Sequence, residues 1–427
     1  MGEVYRPIFS QPGRRLAKKA PKVYPLAARR PEQDLHLDGN HVYLGTDGCG
    51  VEVQDLNSGV RRRSRLQDVA EIARVADSLP AIAFHWVAVS AQDRPKESRG
   101  LHELKAIWEN STKHVQTESI YSEAEAEAAV EMAAIIAGGR DALRQRPALS
   151  IMQCTSSPLS QDGGSLEAAL VAAEAGIPVG FMTMASCITT GPATLAGTLA
   201  VGNAEVLAAL TLVECAYPGA PVFYAAAQTS ADLRSGAYTG GGPEDFLFGG
   251  ATNQLADFYN IPLSMGSFAT GAKSPDWQAG IDNSLSTFMA AAVMSDMLLG
   301  AGLLYGSRVW SYEQLLLDCE LFDIIARVVA GIPVDEENLA LETIRAVGPG
   351  GNYLSQKHTL RYMRERWVPA FMDRRPIETW EEQREGPIDW ARHRAHEILA
   401  SHEPEPLDEK ISRELNKVIA LAEQNPA

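Results

Sequence analysis

Residues 176–219 constrain the fold more than any other part of this 427-residue chain. A short apolar run at 178–182 is followed by a small, hydroxyl-rich and weakly charged loop at 185–191. From Thr194 onward apolar residues recur at helical spacing until Tyr217-Pro218-Gly219 ends the pattern. Strand, loop, helix and turn in this order are typical of one unit of a repeating β/α enzyme, in which the loop after the strand carries the chemistry.

The same alternation continues along the chain and predicts an α/β fold, an eight-stranded β/α (TIM) barrel. An open doubly wound sheet fits less well, because it usually carries a Gly-rich dinucleotide loop after its first strand. Residues 348–354 supply only a weak eighth strand. The seven clearer strands are predicted at 82–86, 114–118, 148–153, 178–182, 221–225, 262–266 and 302–305, and a helix is predicted over 278–299.

Four segments differ in composition and predict the domain organisation. Residues 1–35 are rich in Arg, Lys and Pro without an apolar period, which predicts a flexible arm. Residues 36–65 alternate short strand-like runs with Asp-Gly and Asn-Ser-Gly turns and predict a β-hairpin region. The barrel is predicted over 66–365. A helical C-terminal extension over 366–427 follows, with Trp367, Trp380 and Trp390 as packing anchors.

Charge and hydropathy exclude several classes of function. The net charge of -16 argues against nucleic acid and against an anionic membrane as partner. The most apolar run, 289–304, contains Asp296 and is too short for a membrane span, and the basic amino terminus lacks the apolar region of a signal peptide. We therefore expect a cytoplasmic protein that forms a homo-oligomer and acts on a small molecule.

Common catalytic motifs are missing from the sequence. The five cysteines are far apart, with no CxxC pair and no Cys/His cluster at zinc-ligand spacing, so we predict no metal site. Glycines at 240–242 and 348–351 match neither GxGxxG nor a P-loop and are better explained as turns. No GxSxG elbow surrounds Ser186. No residue is assigned a catalytic role.

The loops expected at the strand ends are instead aromatic, sulfur-containing and poor in charge. Such a lining suits a cationic but poorly hydrated substrate, because a quaternary ammonium gains attraction to aromatic faces without needing hydrogen bonds. The alternative is that several of these aromatic rings only fill the barrel. The residues of this inventory are His85, Trp86, Glu118, Thr155, Ser156, Met182, Met184, Gln228, Thr229, Phe268, Tyr305, Trp310 and Tyr312.

A polar loop at 270–276 should open on the same mouth. Lys273 and Asp276 either pair with each other or leave one of them to bind a substrate carboxylate. Glu313 follows Ser311 at a predicted helix start, where it can complement the helix dipole. The candidates for binding a substrate carboxylate are Arg234, Lys273, Arg308 and His358, and the sequence leaves open which of them reaches it.

An ordered set of motifs resembles the trimethylamine methyltransferase family over roughly residues 36–420. It includes the stretches TTGPATLAGTLA at 189–200, NAEVLA at 203–208 and AKSPDWQAG at 272–280. Taken together and in this order, the motifs are specific. The remaining matches are at 112–115, 131–134, 217–222, 311–315, 347–351 and 358–360.

The resemblance implies an enzyme that moves a methyl group from a methylated amine to the cobalt of a corrinoid carried by a separate protein. The trimethylamine enzymes proper contain pyrrolysine, and this chain contains none. It therefore resembles the branch without that residue, whose substrates are quaternary amines such as glycine betaine, proline betaine and carnitine. The position that corresponds to pyrrolysine is expected near residues 305–310.

Three functions are compared on this basis. The first is a quaternary or tertiary amine:corrinoid methyltransferase with no metal of its own. The second is a zinc-dependent corrinoid methyltransferase for a thiol, alcohol or methoxy compound, acting through His85, Cys154, Cys187 or Glu118. The third is a non-catalytic betaine-binding barrel. For the first, the predicted substrate-binding residues are Trp86, Phe268, Tyr305, Trp310, Tyr312, Glu118, Gln228, Lys273 and His358.

Overall fold

A computed structural model describes residues 20–48, 50–237 and 240–424. Eight strands close into a barrel in which each strand pairs in parallel with its neighbours. The last strand pairs with the first, so the predicted TIM barrel is confirmed. The strands are β1 (Tyr43–Thr46), β2 (Ile82–Trp86), β3 (His114–Thr117), β4 (Leu149–Cys154), β5 (Val179–Thr183), β6 (Val222–Ala226), β7 (Leu263–Gly266) and β8 (Met297–Ala301).

A helix follows each strand, and local capping determines where several of them begin. Ser122 Oγ accepts a hydrogen bond from the Glu125 backbone N–H at 3.2 Å, and Asp162 does the same for Ser165 at 2.9 Å. The eight helices are α1 (Leu66–Ser78), α2 (Arg99–Asn110), α3 (Glu123–Ala137), α4 (Gly163–Ala175), α5 (Leu195–Ala216), α6 (Pro243–Tyr259), α7 (Trp277–Ala292) and α8 (Tyr312–Val329).

The eighth barrel strand lies where the sequence did not predict it. Residues 348–354 form no strand, and β1 comes from the region that was predicted as a hairpin. Within the described part of that region Glu52–Gln54 and Arg61–Arg63 pair antiparallel with each other. The four residues of β1 pair with β8 and β2, partners that are distant in sequence, so nothing local distinguishes β1 from a hairpin strand.

The strand predicted at 302–305 is not a barrel strand: Leu303–Leu304 form a short strand that pairs antiparallel with Val309–Trp310 in a separate sheet. Helix α7 ends at Ala292, and β8 occupies residues that were predicted to lie in the helix or just after it. A continuous apolar run fits a buried parallel strand as well as a buried helix, so periodicity cannot separate the two.

The N-terminal end of the barrel is sealed by a two-stranded sheet, Tyr24–Leu26 paired with Leu35–Leu37. Leu26 and Leu37 are fully buried in one cluster with side chains from the barrel interior. The prediction of a flexible arm over 1–35 is therefore wrong for residues 20–35, whose apolar side chains form this seal. Residues 1–19 lie outside the described part of the chain.

The C-terminal extension packs along the outside of the barrel. Pro387–Ser401 lies on α8 and α1, and Glu409–Gln424 lies on α3 and α2. Among the described residues one helix, α5, is long and apolar enough to span a membrane. Half of its most apolar window is buried in the protein, as expected for a helix that packs on a barrel.

Candidate active site at the open end of the barrel

The interior below the open end is lined by aromatic and sulfur-containing side chains. Trp86, at the end of β2, packs in one buried cluster with Met152, Met182 and Leu299. Its indole is 4% exposed, and its Nε1–H has no hydrogen-bond acceptor among the described residues. Trp86 and Met182 thus lie inside the barrel, and their role in binding stays a prediction.

Glycines let the aromatic rings lie directly against the backbone. A Cβ atom at Gly48 would come within 2.4 Å of the Trp86 ring, and one at Gly45 would come equally close to Phe84. Cys49 follows this contact and lies outside the described residues. Any larger residue at position 48 would push the Trp86 ring away, so the position of the ring depends on the loop after β1.

Glu118 lies at the open end. The side chain of Gln116 is inside the barrel, because its Nε2 donates to Ser150 Oγ at 3.2 Å and lies 4.0 Å from Met297 Sδ. Side chains alternate along a strand, so Glu118, two residues later, continues the inward face nearer the opening. It is 5% exposed.

Cys154, at the end of β4, is a neighbour of this carboxylate. Burial, with a smaller contribution from the charge of Glu118, raises the pKa of the Cys154 thiol to about 12. A thiol is a poor nucleophile and a poor metal ligand until it loses its proton. Cys154 therefore acts in this site as a neutral, polarisable side chain.

Asp47 is a mouth residue that the sequence analysis missed. It follows β1, and its carboxylate accepts hydrogen bonds from Ser307 Oγ at 2.6 Å and from the Gly48 backbone N–H at 2.9 Å. Burial raises the pKa of Asp47 to about 6 despite both donors. The sequence did contain a signal for this residue, an Asp-Gly pair directly after a short apolar run. That run was predicted to belong to a hairpin and not to a barrel strand.

Tyr305 lies on the rim in a strained backbone conformation. Its φ of 57° is in the left-handed region, which bulky residues rarely adopt, and its ring is 40% exposed. Lys273 Nζ lies 5.1 Å from the ring centroid, and the Arg308 guanidinium carbon lies 6.0 Å from it. Two cations thus already contact the ring, which makes this part of the rim suitable for an anionic group.

Lys273 does not pair with Asp276 in the structure. Its Nζ donates to the Gly271 carbonyl at 2.6 Å, whereas Asp276 caps α7 by accepting from the Gln278 backbone N–H at 2.9 Å. The second alternative from the sequence, a lysine available to a substrate carboxylate, is compatible with this arrangement.

The other predicted binding residues lie away from the interior cluster of Trp86. Phe268, Trp310 and Tyr312 are buried in the cluster that packs the strands onto the helices, and Trp310 contacts Tyr312 edge to face at 5.9 Å. Gln228 Nε2 donates to the Thr198 carbonyl of α5 at 2.9 Å. An aromatic or amide side chain at the end of a strand can face the barrel interior or the surrounding helices. The spacing of these residues in the sequence does not show which of the two each side chain faces.

His358 lies in the segment after α8, far along the chain from the barrel strands. Its ring contacts Tyr362 at 4.6 Å between centroids, and its Nε2 is 3.4 Å from the Glu337 carbonyl oxygen. Both contacts are within the same excursion of the chain.

A buried carboxylate on α5 organises the loops around the mouth. Glu205 accepts hydrogen bonds from Thr155 Oγ1 at 2.7 Å, Thr183 Oγ1 at 2.9 Å and the Leu159 backbone N–H at 2.8 Å. Ser157 Oγ adds a fourth donor at 2.8 Å. Glu205 therefore positions the loops after β4 and β5. Its sequence signal was one of two acidic residues in an otherwise apolar helix, the other being Glu214.

The residues of the zinc alternative are not grouped as metal ligands in the part of the chain that the structure describes. Among the described residues no group of three His, Cys, Asp or Glu side chains could hold a metal ion. Both ring nitrogens of His85 are buried without a described partner, and burial lowers its pKa to about 3. Cys187 Sγ lies 3.3 Å from Thr198 Oγ1 beside α5.

Together, the closed barrel and its aromatic, partly acidic mouth define a β/α-barrel enzyme of small-molecule chemistry. The model of the trimethylamine methyltransferase family matches residues 10–425. The chain belongs to this family and is a methyltransferase.

Similar proteins support the assignment. The chain is 35% identical to a glycine betaine methyltransferase from Desulfitobacterium hafniense strain Y51, over 94% of this chain and 84% of that protein. It is 33% identical to a trimethylamine methyltransferase from Desulfitobacterium hafniense strain DCB-2, over 95% and 82% of the two chains. The crystal structure of the Methanosarcina barkeri monomethylamine methyltransferase covers 90% of this chain and 79% of its own with a TM-score of 0.53 at 11% identity, a likeness of fold.

Proposed function

We propose that this enzyme transfers a methyl group from a quaternary amine of the betaine type to the cobalt(I) of a corrinoid carried by a separate protein. The observation that carries the proposal is the buried cluster of Trp86, Met152 and Met182, against which Cys154 packs, together with the buried carboxylate of Glu118 that interacts with Cys154. Membership of the family and the similarity to a glycine betaine methyltransferase support the same reaction class.

The lining suits the ammonium end of such a substrate. A quaternary nitrogen has no N–H to donate, so it binds through cation–π attraction and through contact with polarisable sulfur. Glu118 supplies a negative charge without requiring a hydrogen bond from the ligand. Trp86 and Glu118 therefore hold the ammonium in this proposal.

The rim suits the carboxylate end. Lys273 and Arg308 lie around the exposed ring of Tyr305, and a carboxylate there would be attracted by both cations. A betaine that spans from the interior to the rim would satisfy both ends. A substrate without a carboxylate would bind only through its ammonium group in the interior.

The chemistry requires positioning more than proton transfer. The bond between nitrogen and the methyl carbon breaks, nitrogen keeps the electron pair and leaves as a neutral tertiary amine, and the carbon bonds to cobalt through the electron pair of cobalt(I). No proton is needed, because the leaving group is already cationic in the substrate. The contribution of the protein is to exclude water and to orient one methyl group outward.

The corrinoid acceptor must approach from the open end. The opposite end is filled by Tyr24, Leu26, Leu35 and Leu37, and Tyr24 Oη donates to the Val222 carbonyl at 2.9 Å. The partner protein in this proposal therefore docks on the loops that follow the strands. We also propose that the enzyme is cytoplasmic, with α5 as a helix of the barrel rather than a membrane anchor.

The decisive experiment incubates the enzyme with free cob(I)alamin and a panel of amines and follows the absorption spectrum of the methylated product. We expect methylation with a betaine, and a large loss of rate in Glu118→Gln. Glu127→Gln, on the outer face of α3, is the matched control and should leave the rate unchanged. Absence of methyl transfer from every quaternary and tertiary amine would refute the proposal.

A further inference from the structure

The chain turns back on itself between β8 and α8. Leu303–Leu304 pairs antiparallel with Val309–Trp310, and residues 305–308 form the tip, so we call residues 302–310 the β8 hairpin. The tip carries Tyr305 and Arg308, whose side chains contact each other on the rim. The contacts that hold the hairpin therefore determine where these rim side chains lie.

The tip has a backbone conformation that depends on its surroundings. Tyr305, Gly306 and Ser307 are consecutive residues in the left-handed region, with φ values of 57°, 63° and 59°. This region is unfavourable for residues that carry a Cβ atom, so the conformation persists only where the neighbouring structure holds it.

Hydrogen bonds connect the tip to the loop after β7, which carries Lys273. The Tyr305 backbone N–H donates to the Ala272 carbonyl at 2.8 Å, and the N–H of the next residue donates to the Thr270 carbonyl at 2.9 Å. Lys273 Nζ in turn lies 5.1 Å from the centroid of the Tyr305 ring. Tyr305, Arg308 and Lys273 thus belong to one connected unit.

The root of the hairpin is held by a carboxylate on α8. Asp318 Oδ2 accepts a hydrogen bond from the Gly302 backbone N–H at 2.9 Å. Asp318 Oδ1 accepts from Asn283 Nδ2 at 2.8 Å and from Gln314 Nε2 at 2.7 Å. The side chain of Asp318 is fully buried. One carboxylate therefore fixes the start of the hairpin relative to α7 and α8.

Gly302 is the residue through which this carboxylate acts on the backbone. Its φ is 96°, and a Cβ atom at this position would come within 2.5 Å of the Trp310 ring. The Gly302 carbonyl accepts from the Ser311 backbone N–H at 2.9 Å. Without Asp318, a backbone N–H would be left unpaired at the point where the hairpin begins.

A carboxylate is a costly group to bury here. Burial raises the pKa of Asp318 to about 7 despite the three donors. An apolar side chain of similar size would avoid this cost, because buried charges are often replaced by apolar groups without loss of stability. Packing alone therefore does not account for the carboxylate.

We propose that Asp318 is a positioning residue of the rim, which fixes the root of the β8 hairpin and thereby places Tyr305, Arg308 and Lys273 at the mouth. The inference rests on the proposed function, in which Lys273 and Arg308 attract the carboxylate end of a betaine. Asp318 acts only through the hairpin. Its removal should therefore weaken binding of ligands that carry a carboxylate and spare those that present only an ammonium group.

The test compares two ligands by calorimetric titration of the full-length enzyme. Asp318→Ala should weaken binding of glycine betaine about 2- to 30-fold, the equivalent of two exposed ion pairs, and should change binding of tetramethylammonium by less than about 2-fold. Glu320→Ala is the matched control, because this carboxylate of α8 also accepts three backbone hydrogen bonds, from residues 370–372. It should leave both affinities unchanged.

The conservative variant Asp318→Asn should restore the wild-type ratio of the two affinities. Its side-chain oxygen can still accept from Gly302. Asn283 Oδ1 and Gln314 Oε1 are buried with no hydrogen-bond donor among the described residues, so either amide can rotate and accept from the new NH₂ group. A residue that only fills space would not be rescued in this way.

Hydrogen–deuterium exchange tests the hairpin without any ligand. Residues 302–310 should exchange faster in Asp318→Ala than in the wild type or in Glu320→Ala. If Asp318→Ala does not fold by circular dichroism, Asn283→Ala, which removes one donor to the carboxylate, should shift both measurements in the same direction by a smaller amount.

Unchanged exchange of residues 302–310, or an unchanged ratio of the two affinities in the folded variant, would overturn the inference. Absence of binding of both ligands to the wild type would instead refute the proposed function. The exchange data alone would then decide whether Asp318 anchors the hairpin.

Discussion

The two ends of the barrel are built from different side chains. At the N-terminal end Leu26 and Leu37 are fully buried among apolar neighbours. At the open end Asp47 and Glu118 are almost as buried but carry carboxylates, and Tyr305 has a strained φ. The closed end uses burial to stabilise the fold, whereas the open end holds buried carboxylates and a strained backbone at a cost in stability.

The largest expected effect is at the closed end. Leu37→Ala removes a fully buried side chain and should lower the free energy of unfolding by about 2–5 kcal/mol. The affinity of the folded variant for a betaine should be unchanged, because the seal is at the opposite end from the mouth. Denaturant unfolding and calorimetric binding measure the two quantities. Val23→Ala, at a 61% exposed position in the same segment, should change neither.

The second effect is a pH dependence of stability at the open end. The pKa of Asp47 is about 6 in the folded protein and lower when unfolded, so the folded state binds the proton more tightly. Its contribution to stability is therefore complete at pH below the unfolded pKa and is lost as the pH rises through 6.

Asp47→Asn isolates this contribution, since an amide can keep the contacts with Gly48 and Ser307. The free energy of unfolding of the wild type relative to the variant should fall by about 2–3 kcal/mol between acidic and neutral pH. Asp141→Asn, on an outer helix, is the control. If the difference in free energy of unfolding between the wild type and Asp47→Asn does not change with pH, the raised pKa of Asp47 is contradicted.

The third effect is a difference in betaine affinity between variants of two tryptophans, one in the barrel interior and one packed outside the interior cluster. Trp86→Phe should weaken betaine binding by about 0.5–2 kcal/mol, because Phe is a poorer partner for a cation than Trp. Trp310→Phe is the matched comparison and should alter stability but not affinity, since Trp310 packs behind the strands. Equal losses of affinity in both variants, measured by calorimetry, would place Trp310 in the site after all.

The fourth effect concerns the rim. Lys273→Gln should weaken binding of glycine betaine by about 0.2–1 kcal/mol, the range for an exposed ion pair, and should leave tetramethylammonium unaffected. Lys105→Gln removes a lysine that pairs with Glu109 on α2 and should have no effect on either ligand. A parallel loss for both ligands would mean that Lys273 does not bind the carboxylate.

The smallest expected effect is that of chelation. A tetraalkylammonium offers no lone pair to a metal, so exhaustive chelator treatment should leave turnover unchanged. The double variant Cys154→Ser with Cys187→Ser should lose only modest packing energy. Turnover that is abolished by chelation and restored by zinc would favour the thiol or methoxy alternative instead.

Much of the fold could be predicted because its signals are local. β2 was predicted with the bounds that the structure has, and Ser122 and Ser311 cap the helices that their sequence positions predicted. The candidate site was predicted less completely. Trp86 lies in the interior cluster, but Asp47 and Glu205 were missed, because their roles depend on Ser307, Thr155 and other residues that are distant in sequence.

The sequence by itself determined the alternation of strands and helices and the caps, since apolar period and capping hydrogen bonds connect residues a few positions apart. Only the tertiary structure decided that β1 rather than residues 348–354 closes the barrel, and that Phe268 and Trp310 pack outside the cluster that contains Trp86. Strand pairing and the choice of barrel face depend on partners far along the chain, which no local pattern contains.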